Sequence, residues 1–307
     1  MTEPAVASSD ATNISTEIRR DGDSYVINGR KWWTTGAGSL HTEVLIVMGK
    51  TDPSAPLHAQ QSQVLVPTST PGITFVRPLL ACGDADAPKG HMEIVFDNVR
   101  VPTANILWAE GKGFAISQGR LGPGRIHHCM RLVGQAERAL SLMCARVHTR
   151  VAFGKPLSAN DAVLQEIAKS RAEIDQARLF VFEAASSMDR LGNKSRVTRQ
   201  LLSLVKAVVP QMTQRIADRA MQMHGAMGIC QDTPLFAIWV AGRSLRLADG
   251  PDEVHWRSAG QMELRAQQET PLSKLGYHNK SAATGVFRRS TDEPSAEAKQ
   301  RMLRAKL

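Results

Sequence analysis

Asp249-Gly250-Pro251-Asp252-Glu253-Val254-His255 sets a carboxylate one Gly ahead of a Pro suited to a first helical turn, with two more acids behind it. A carboxylate held off the end of a helix can take a proton from carbon if a desolvated site raises its proton affinity. The same acid can simply oppose the helix macrodipole. Gly122-Pro123-Gly124-Arg125 combines close backbone approach with a planar cationic fork, which suits an anion or marks a helix irregularity. Trp32-Trp33-Thr34-Thr35-Gly36 joins two indoles and two hydroxyls at a strand end, where an aromatic ligand or the core would hold the rings. Thr2 and Ser9 carry hydroxyls on an irregular segment and read as ligand contacts or turn caps. Arg150 and Phe153 follow a long helix, and Gln222, Gly225 and Gly228 stand where another helix ends.

The elements that must position these residues divide the chain. Ser24–Ile27, 43–48, 63–66 and 93–96 read as short strands punctuated by Pro and Gly, and Asn28-Gly29 reads as a turn between two of them. After Val101-Pro102 the period changes to that of helices: Gly113 to about Arg150, Asp161 to Leu191, and Arg196 to Met223, where Pro210 predicts a kink or a boundary. Shorter helices are predicted over 235–247 and 251–267. The expected fold is α+β, with a small antiparallel β-barrel or sandwich domain over 1–110 and an antiparallel four-helix-type bundle over 111–268. A basic, partly disordered tail over 269–307 completes the expectation.

Composition narrows the function classes. The 307 residues carry a net charge of +9, and from Thr270 onward eight Lys or Arg stand against three Asp or Glu. The excess lacks the aromatic interleaving of single-strand nucleic-acid binders. No apolar run reaches the length of a membrane span. Cys82, Cys129, Cys144 and Cys230 lack metal-ligand spacing and read as reduced thiols of an intracellular protein, and no metal is expected at His127-His128-Cys129, whose side chains diverge on a helix. The ending Ala305-Lys306-Leu307 fits the peroxisomal import pattern in relaxed form; a mitochondrial location is the alternative. No signal or transit segment is read ahead of Thr2-Glu3-Pro4.

Thr2-Glu3-Pro4, Lys31-Trp32-Trp33-Thr34-Thr35-Gly36, Arg150-Val151-Ala152-Phe153-Gly154-Lys155 and the Asp249 stretch occur in an order that resembles the acyl-CoA dehydrogenases. The words 6–14, 119–130 and 247–255 look most like the branch of family members 10 and 11. The resemblance implies FAD as cofactor and an acyl-CoA substrate. Electron-transferring flavoprotein or oxygen is implied as electron acceptor, and a homodimer or homotetramer as assembly. It places Thr2 and Ser9 along the flavin, with Ser9 also near the CoA arm, Trp33 on the ring and Thr35 at its edge. Gly122, Arg125 and Gly250 fall in the acyl-CoA site. Arg150, Phe153, Gln222, Gly225 and Gly228 reach the FAD of a neighbouring subunit, and Pro251 and Glu253 also lie at the cofactor. Where the family shows Gly-Gly-x-Gly, this chain has Gly225-Ala226-Met227-Gly228.

The implied reaction needs a base for an α-proton and an acceptor for a hydride, which no side chain can be. The match assigns the base to Asp249, where most members carry Glu. Members that place the base one residue before Arg125 have their counterpart here in Gly124, which cannot serve. The family's N-terminal helical domain has no counterpart ahead of the Thr-Glu-Pro motif, and its loss is expected to admit water to the pocket. Two alternatives accompany this reading: a non-catalytic subunit that keeps the bundle, and a peroxisomal acyl-CoA oxidase.

Overall fold

A computed structural model describes residues 1–268. The expectations for the basic tail, including Ala305-Lys306-Leu307, lie outside them. Met1–Gly260 closes into one compact unit, and the last described residues, from Gln261, fall outside it.

The first hundred residues build a six-stranded sheet from β1 (Glu17–Asp21), β2 (Ser24–Thr35), β3 (Val44–Lys50), β4 (Gln61–Pro67), β5 (Ile73–Pro78) and β6 (His91–Pro102). Their spatial order is β4-β3-β1-β2-β6-β5. Pairing is antiparallel except between β1 and β3, which touch in parallel at Glu17 and Lys50. Ile18, Ile27, Val64, Ile94, Phe96 and Val99 form its core, as the β-branched and aromatic content of these runs favours. Asn28-Gly29 is not the predicted turn. The chain reverses at Gly22-Asp23, and Gly29 lies inside β2 where the register with β6 shifts. The reason is a close approach: a Cβ on Gly29 would come within 2.5 Å of Thr16 Oγ1.

The helices are α1 (Gly113–Thr149), α2 (Asp161–Leu191), α3 (Arg196–His224), α4 (Leu235–Leu245) and α5 (Asp252–Gln268), with a two-residue hairpin, β7 (Val151–Ala152) and β8 (Lys155–Pro156), between α1 and α2. Leu132, Ala136, Ala139, Leu140 and Met143, spaced along one face of α1, are all buried against α2, α3 and α4. Cys129 meets Val205, and Arg146 meets His224, so α1 and α3 run the same way. Ser187 meets Thr198 while Ser170 meets Arg219, so α2 runs oppositely to α3. Pro210 neither bounds nor breaks α3, and α1 runs through the predicted interruption at Pro123. Tertiary packing overrides the local signal: Pro210 is buried, and Gly242 of α4 lies against its carbonyl. The sheet joins the bundle where Gln63 Nε2 donates to Ser117 Oγ at 2.8 Å and to the Gly113 carbonyl at 3.1 Å.

Candidate functional site

The loop between α4 and α5 is held by charge. Lys206, fully buried on α3, donates through Nζ to the Leu245 carbonyl and, at 3.3 Å, to that of Gly250. Arg125 Nε donates to the Asp249 carbonyl at 3.1 Å, and His255 Nε2 lies 3.2 Å from the same oxygen. Asp252 Oδ2 accepts from Arg246 at 2.7 Å and from Gln211 at 3.1 Å, closing the loop's far side. These anchors hold Asp249 at φ 56°, a left-handed conformation that Asp tolerates better than most residues. Gly250 follows at φ 103°, and a Cβ there would meet His255 Nε2 at 2.8 Å. Burial, with Arg125 and Lys206 nearby, pushes His255 down to about 4, so its ring is neutral and donates to the Asp249 carbonyl.

The loop turns the Asp249 carboxylate back toward α1, with 13% of the side chain exposed. Arg120 Nη1 lies 3.7 Å from Oδ1 and His128 Nε2 lies 3.4 Å from Oδ2. Oδ2 is buried and accepts no hydrogen bond among the described residues. A Cβ on Gly124 would stand 3.6 Å from that oxygen, so the two positions where the resemblance allows a base face one another. Burial lowers the proton affinity of Lys206, with Cys129 and Asp249 pulling it back, and burial pushes the Cys129 thiol up to about 12, which removes it as a nucleophile. Gly122 packs on Asn193, and Arg125 Nε is engaged by the Asp249 main chain. Pro251 is half-buried and Glu253 is exposed on the first turn of α5.

A second group gathers at the end of β2. The register with β6 shifts between Lys31 and Thr34, and Trp33 sits in the bulge at φ 52° with its side chain partly exposed. Thr35 is exposed two residues on, its Oγ1 3.0 Å from His91 Nδ1. The His91 ring lies 5.4 Å from that of Trp33. The Thr2 carbonyl accepts from Trp32 N at 3.1 Å, which ties the N-terminal loop to the strand. Beneath it, Glu3 and Lys31 form a buried ion pair at 2.7 Å. Ser15 N and Thr16 N donate to the same carboxylate at 2.7 and 2.9 Å. Burial, the largest influence, pushes Glu3 up, but bonds from Lys31, Ser15 and Thr16 hold it at about 2. Ser9 is exposed; the hydroxyl that ties this loop belongs to Ser8, which accepts from Glu3 N at 3.1 Å.

The third group is remote. Phe153 stands fully exposed at the tip of the β7–β8 hairpin, and Arg150 is exposed at the end of α1. Gln222 and Gly225 are exposed at the end of α3, which the Arg146–His224 bond joins to the end of α1. Gly228 is buried, since a Cβ would meet the Met221 carbonyl at 2.5 Å. Twenty-five residues of α1 separate Arg125 from Arg150, roughly 37 Å at the usual helical rise. The structure therefore brings Asp249, Gly250 and Arg125 together, and Thr2, Trp33 and Thr35 together, and sets Arg150, Phe153, Gln222 and Gly225 at the other end of the bundle.

Four site residues escaped sequence reasoning. Lys206 had a signal, a lone cation in the apolar run Leu204–Val209. Glu3 with Lys31 and His128 with Asp249 had none, because each pair spans elements whose packing no local pattern encodes.

Residues 1–99 match the family "Acyl-CoA dehydrogenase, middle domain", and residues 111–263 match "Acyl-CoA dehydrogenase, C-terminal domain". The chain is 56% identical over 270 residues to the probable acyl-CoA dehydrogenase FadE2 of Mycobacterium tuberculosis, covering 88% of this chain and 66% of that protein. It is 54% identical to acyl-CoA dehydrogenase family member 10 of Mus musculus, covering 87% of this chain but 25% of the relative. A solved chain from Mycobacterium abscessus, assigned to the acyl-CoA dehydrogenases, superposes with a TM-score of 0.84 at 49% identity, over 87% of this chain and 65% of that one. The chain thus spans less than two thirds of the length of these relatives.

Proposed function

The chain belongs to the acyl-CoA dehydrogenase family, and from that premise we propose that it removes hydrogen from the α and β carbons of an acyl-CoA thioester with FAD, Asp249 taking the α-proton. The Asp249 carboxylate carries the reading. It is mostly buried, its Oδ2 has no hydrogen bond among the described residues, and it lies beside Gly124 of α1. A carboxylate so placed is fixed by its backbone, and one of its oxygens can be oriented while the other takes a carbon-bound proton.

The residues present fit a flavin. Trp33 offers a partly exposed indole in a bulge, and Thr35 offers an exposed hydroxyl beside it. Thr2 is tied to the same strand through Trp32 N, and Ser9 is exposed on the same N-terminal loop. When bound, FAD supplies the hydride acceptor that the β-carbon requires. Arg150, Phe153, Gln222 and the backbone at Gly225 and Gly228 would hold the FAD of a neighbouring subunit, since roughly 37 Å of helix separates them from Arg125 in their own chain. Electron-transferring flavoprotein, or oxygen, would then take the electrons. The test is spectroscopic: the purified chain, loaded with FAD, loses its flavin absorbance when an acyl-CoA is added. A fully loaded protein that no acyl-CoA of any chain length bleaches would refute the reading.

The assembly makes its own prediction. Arg150→Ala should weaken flavin retention, and retention should follow oligomer formation in size-exclusion runs at graded concentration. A proven monomer holding stoichiometric flavin contradicts it. The exposed Leu179 and Phe182 on α2, at 69% and 55%, support the alternative of a subunit that assembles without turnover. A colourless protein that stays colourless with excess FAD is its signature. For location, a fluorescent protein ending in Ala305-Lys306-Leu307 should enter peroxisomes and become diffuse when Leu307 is removed; diffuse signal from the intact ending rejects that home in favour of the mitochondrion or cytosol.

A further inference from the structure

His127 and His128 stand next to each other on α1, yet their surroundings differ. His127 is exposed, whereas His128 turns toward the α4–α5 loop, its Nε2 3.4 Å from Asp249 Oδ2. The other ring nitrogen settles the tautomer. Arg131 Nη2 lies 3.2 Å from His128 Nδ1, and a guanidinium only donates. Nδ1 therefore accepts, and the proton of the neutral ring sits on Nε2, on the side of the Asp249 carboxylate. Burial lowers the proton affinity of His128, with Asp249 raising it and Arg131, His127 and Arg120 lowering it further. Burial, the largest influence, thus favours the neutral ring.

We propose that His128 is a positioning residue for the proposed base: its Nε2–H, fixed by Arg131, holds Asp249 Oδ2 and turns Oδ1 toward the substrate's α-carbon. This rests on the reading of Asp249 as base. Oδ2 is buried and makes no hydrogen bond among the described residues, and the Nε2 of His128 is the nitrogen that stands nearest to forming one. The 3.4 Å separation is long for a hydrogen bond, as catalytic contacts often are before a ligand closes the site. A neutral donor serves the base better than a cation here. It restricts rotation of the carboxylate without the full charge that would strip it of basicity. Because Nε2 already bears its proton and Nδ1 is engaged by Arg131, His128 does not compete for the proton that Asp249 removes. Arg120, the other neighbour of the carboxylate, lies 3.7 Å from Oδ1 and is 70% exposed, free to move aside for a ligand.

The first measurement needs no cofactor. Long-range ¹H–¹⁵N correlation spectra of the histidine-labelled full chain, with His128 assigned through His128→Gln, should show a neutral Nε2–H ring at pH 7. In Asp249→Asn the pH at which His128 takes a second proton should fall, because the carboxylate that favours the cation is gone. A neutral Nδ1–H ring, a doubly protonated ring, or a titration indifferent to Asp249 overturns the proposal. The second measurement is flavin reduction by acyl-CoA in the FAD-loaded chain. His128→Phe should lose on the order of 10–100-fold in the reduction rate, with acyl-CoA affinity little changed, as expected for a misaligned reacting group. His128→Gln, which returns an N–H near the same place, should recover most of that loss. A His128→Phe protein as fast as the parent while Asp249→Asn is slow removes His128 and leaves the base in place. An Asp249→Asn protein as fast as the parent removes both.

Discussion

Asp249→Asn is expected to leave FAD and acyl-CoA binding intact and to slow flavin reduction by about 10²–10⁴-fold, the usual cost of removing a general base. The substitution nearly preserves shape. The anchors on the loop, from Arg125, Lys206 and His255, all reach main-chain carbonyls and do not depend on the carboxylate. Binding and chemistry therefore separate: a loss of both together would mean the loop had collapsed, and a calorimetric titration with acyl-CoA makes the distinction. Asp249→Glu should keep partial activity. Its extra methylene has room toward Gly124, whose missing side chain leaves a Cβ position 3.6 Å from the present Oδ2. Reduction of Asp249→Asn at the parent rate would move the search for a base to Glu253.

Lys31→Met is expected to destabilise the fold by about 3–5 kcal/mol, the range for removing one partner of a buried ion pair. Lys31 and Glu3 are 4% and 1% exposed at their side chains, so water cannot replace the lost ammonium. Urea unfolding should show a lower midpoint with an unchanged slope. The companion prediction concerns pH. In the fold Glu3 is held at about 2, below its ordinary 4.5. Its contribution is thus complete above 4.5 and is lost as pH falls from there toward 2. Without Lys31, burial acts with less opposition, the carboxyl titrates higher, and the acid-side loss begins at higher pH. Glu3→Gln with Lys31→Met should recover part of the stability, since no unpaired charge then remains buried. An unmoved urea midpoint in Lys31→Met would show that the pair contributes nothing to the fold. The same pair fastens the Thr2 loop to the strand that carries Trp33, so weaker flavin retention should accompany the loss.

Much of the architecture was legible because its signals are local. The helix bounds of α2 follow from Asn160 capping Ala162 N at one end and from Gly192 at φ 76° at the other. The buried face of α1 follows from helical spacing alone. The misreadings also have local causes. Asn28-Gly29 looks like a turn by composition, but the glycine is needed where β2 crosses Thr16. Pro123 and Pro210 look like breaks, but both helices run through them, Pro210 buried against α4.

The sequence by itself determined the order of strands and helices, the family to which the motifs belong, and the candidate base, since each depends on residue types at fixed spacing along one chain. The tertiary structure alone decided which residues act together. Packing α1 against the α4–α5 loop places His128 and Gly124 at Asp249 across more than a hundred residues, and packing α3 beneath that loop delivers the Lys206 ammonium to its carbonyls. It also decided that Arg150 and Asp249 stand at opposite ends of one bundle, because a helix converts 25 residues into roughly 37 Å of rigid separation. Contacts across such distances depend on how faces interlock, and no local period in the sequence records that.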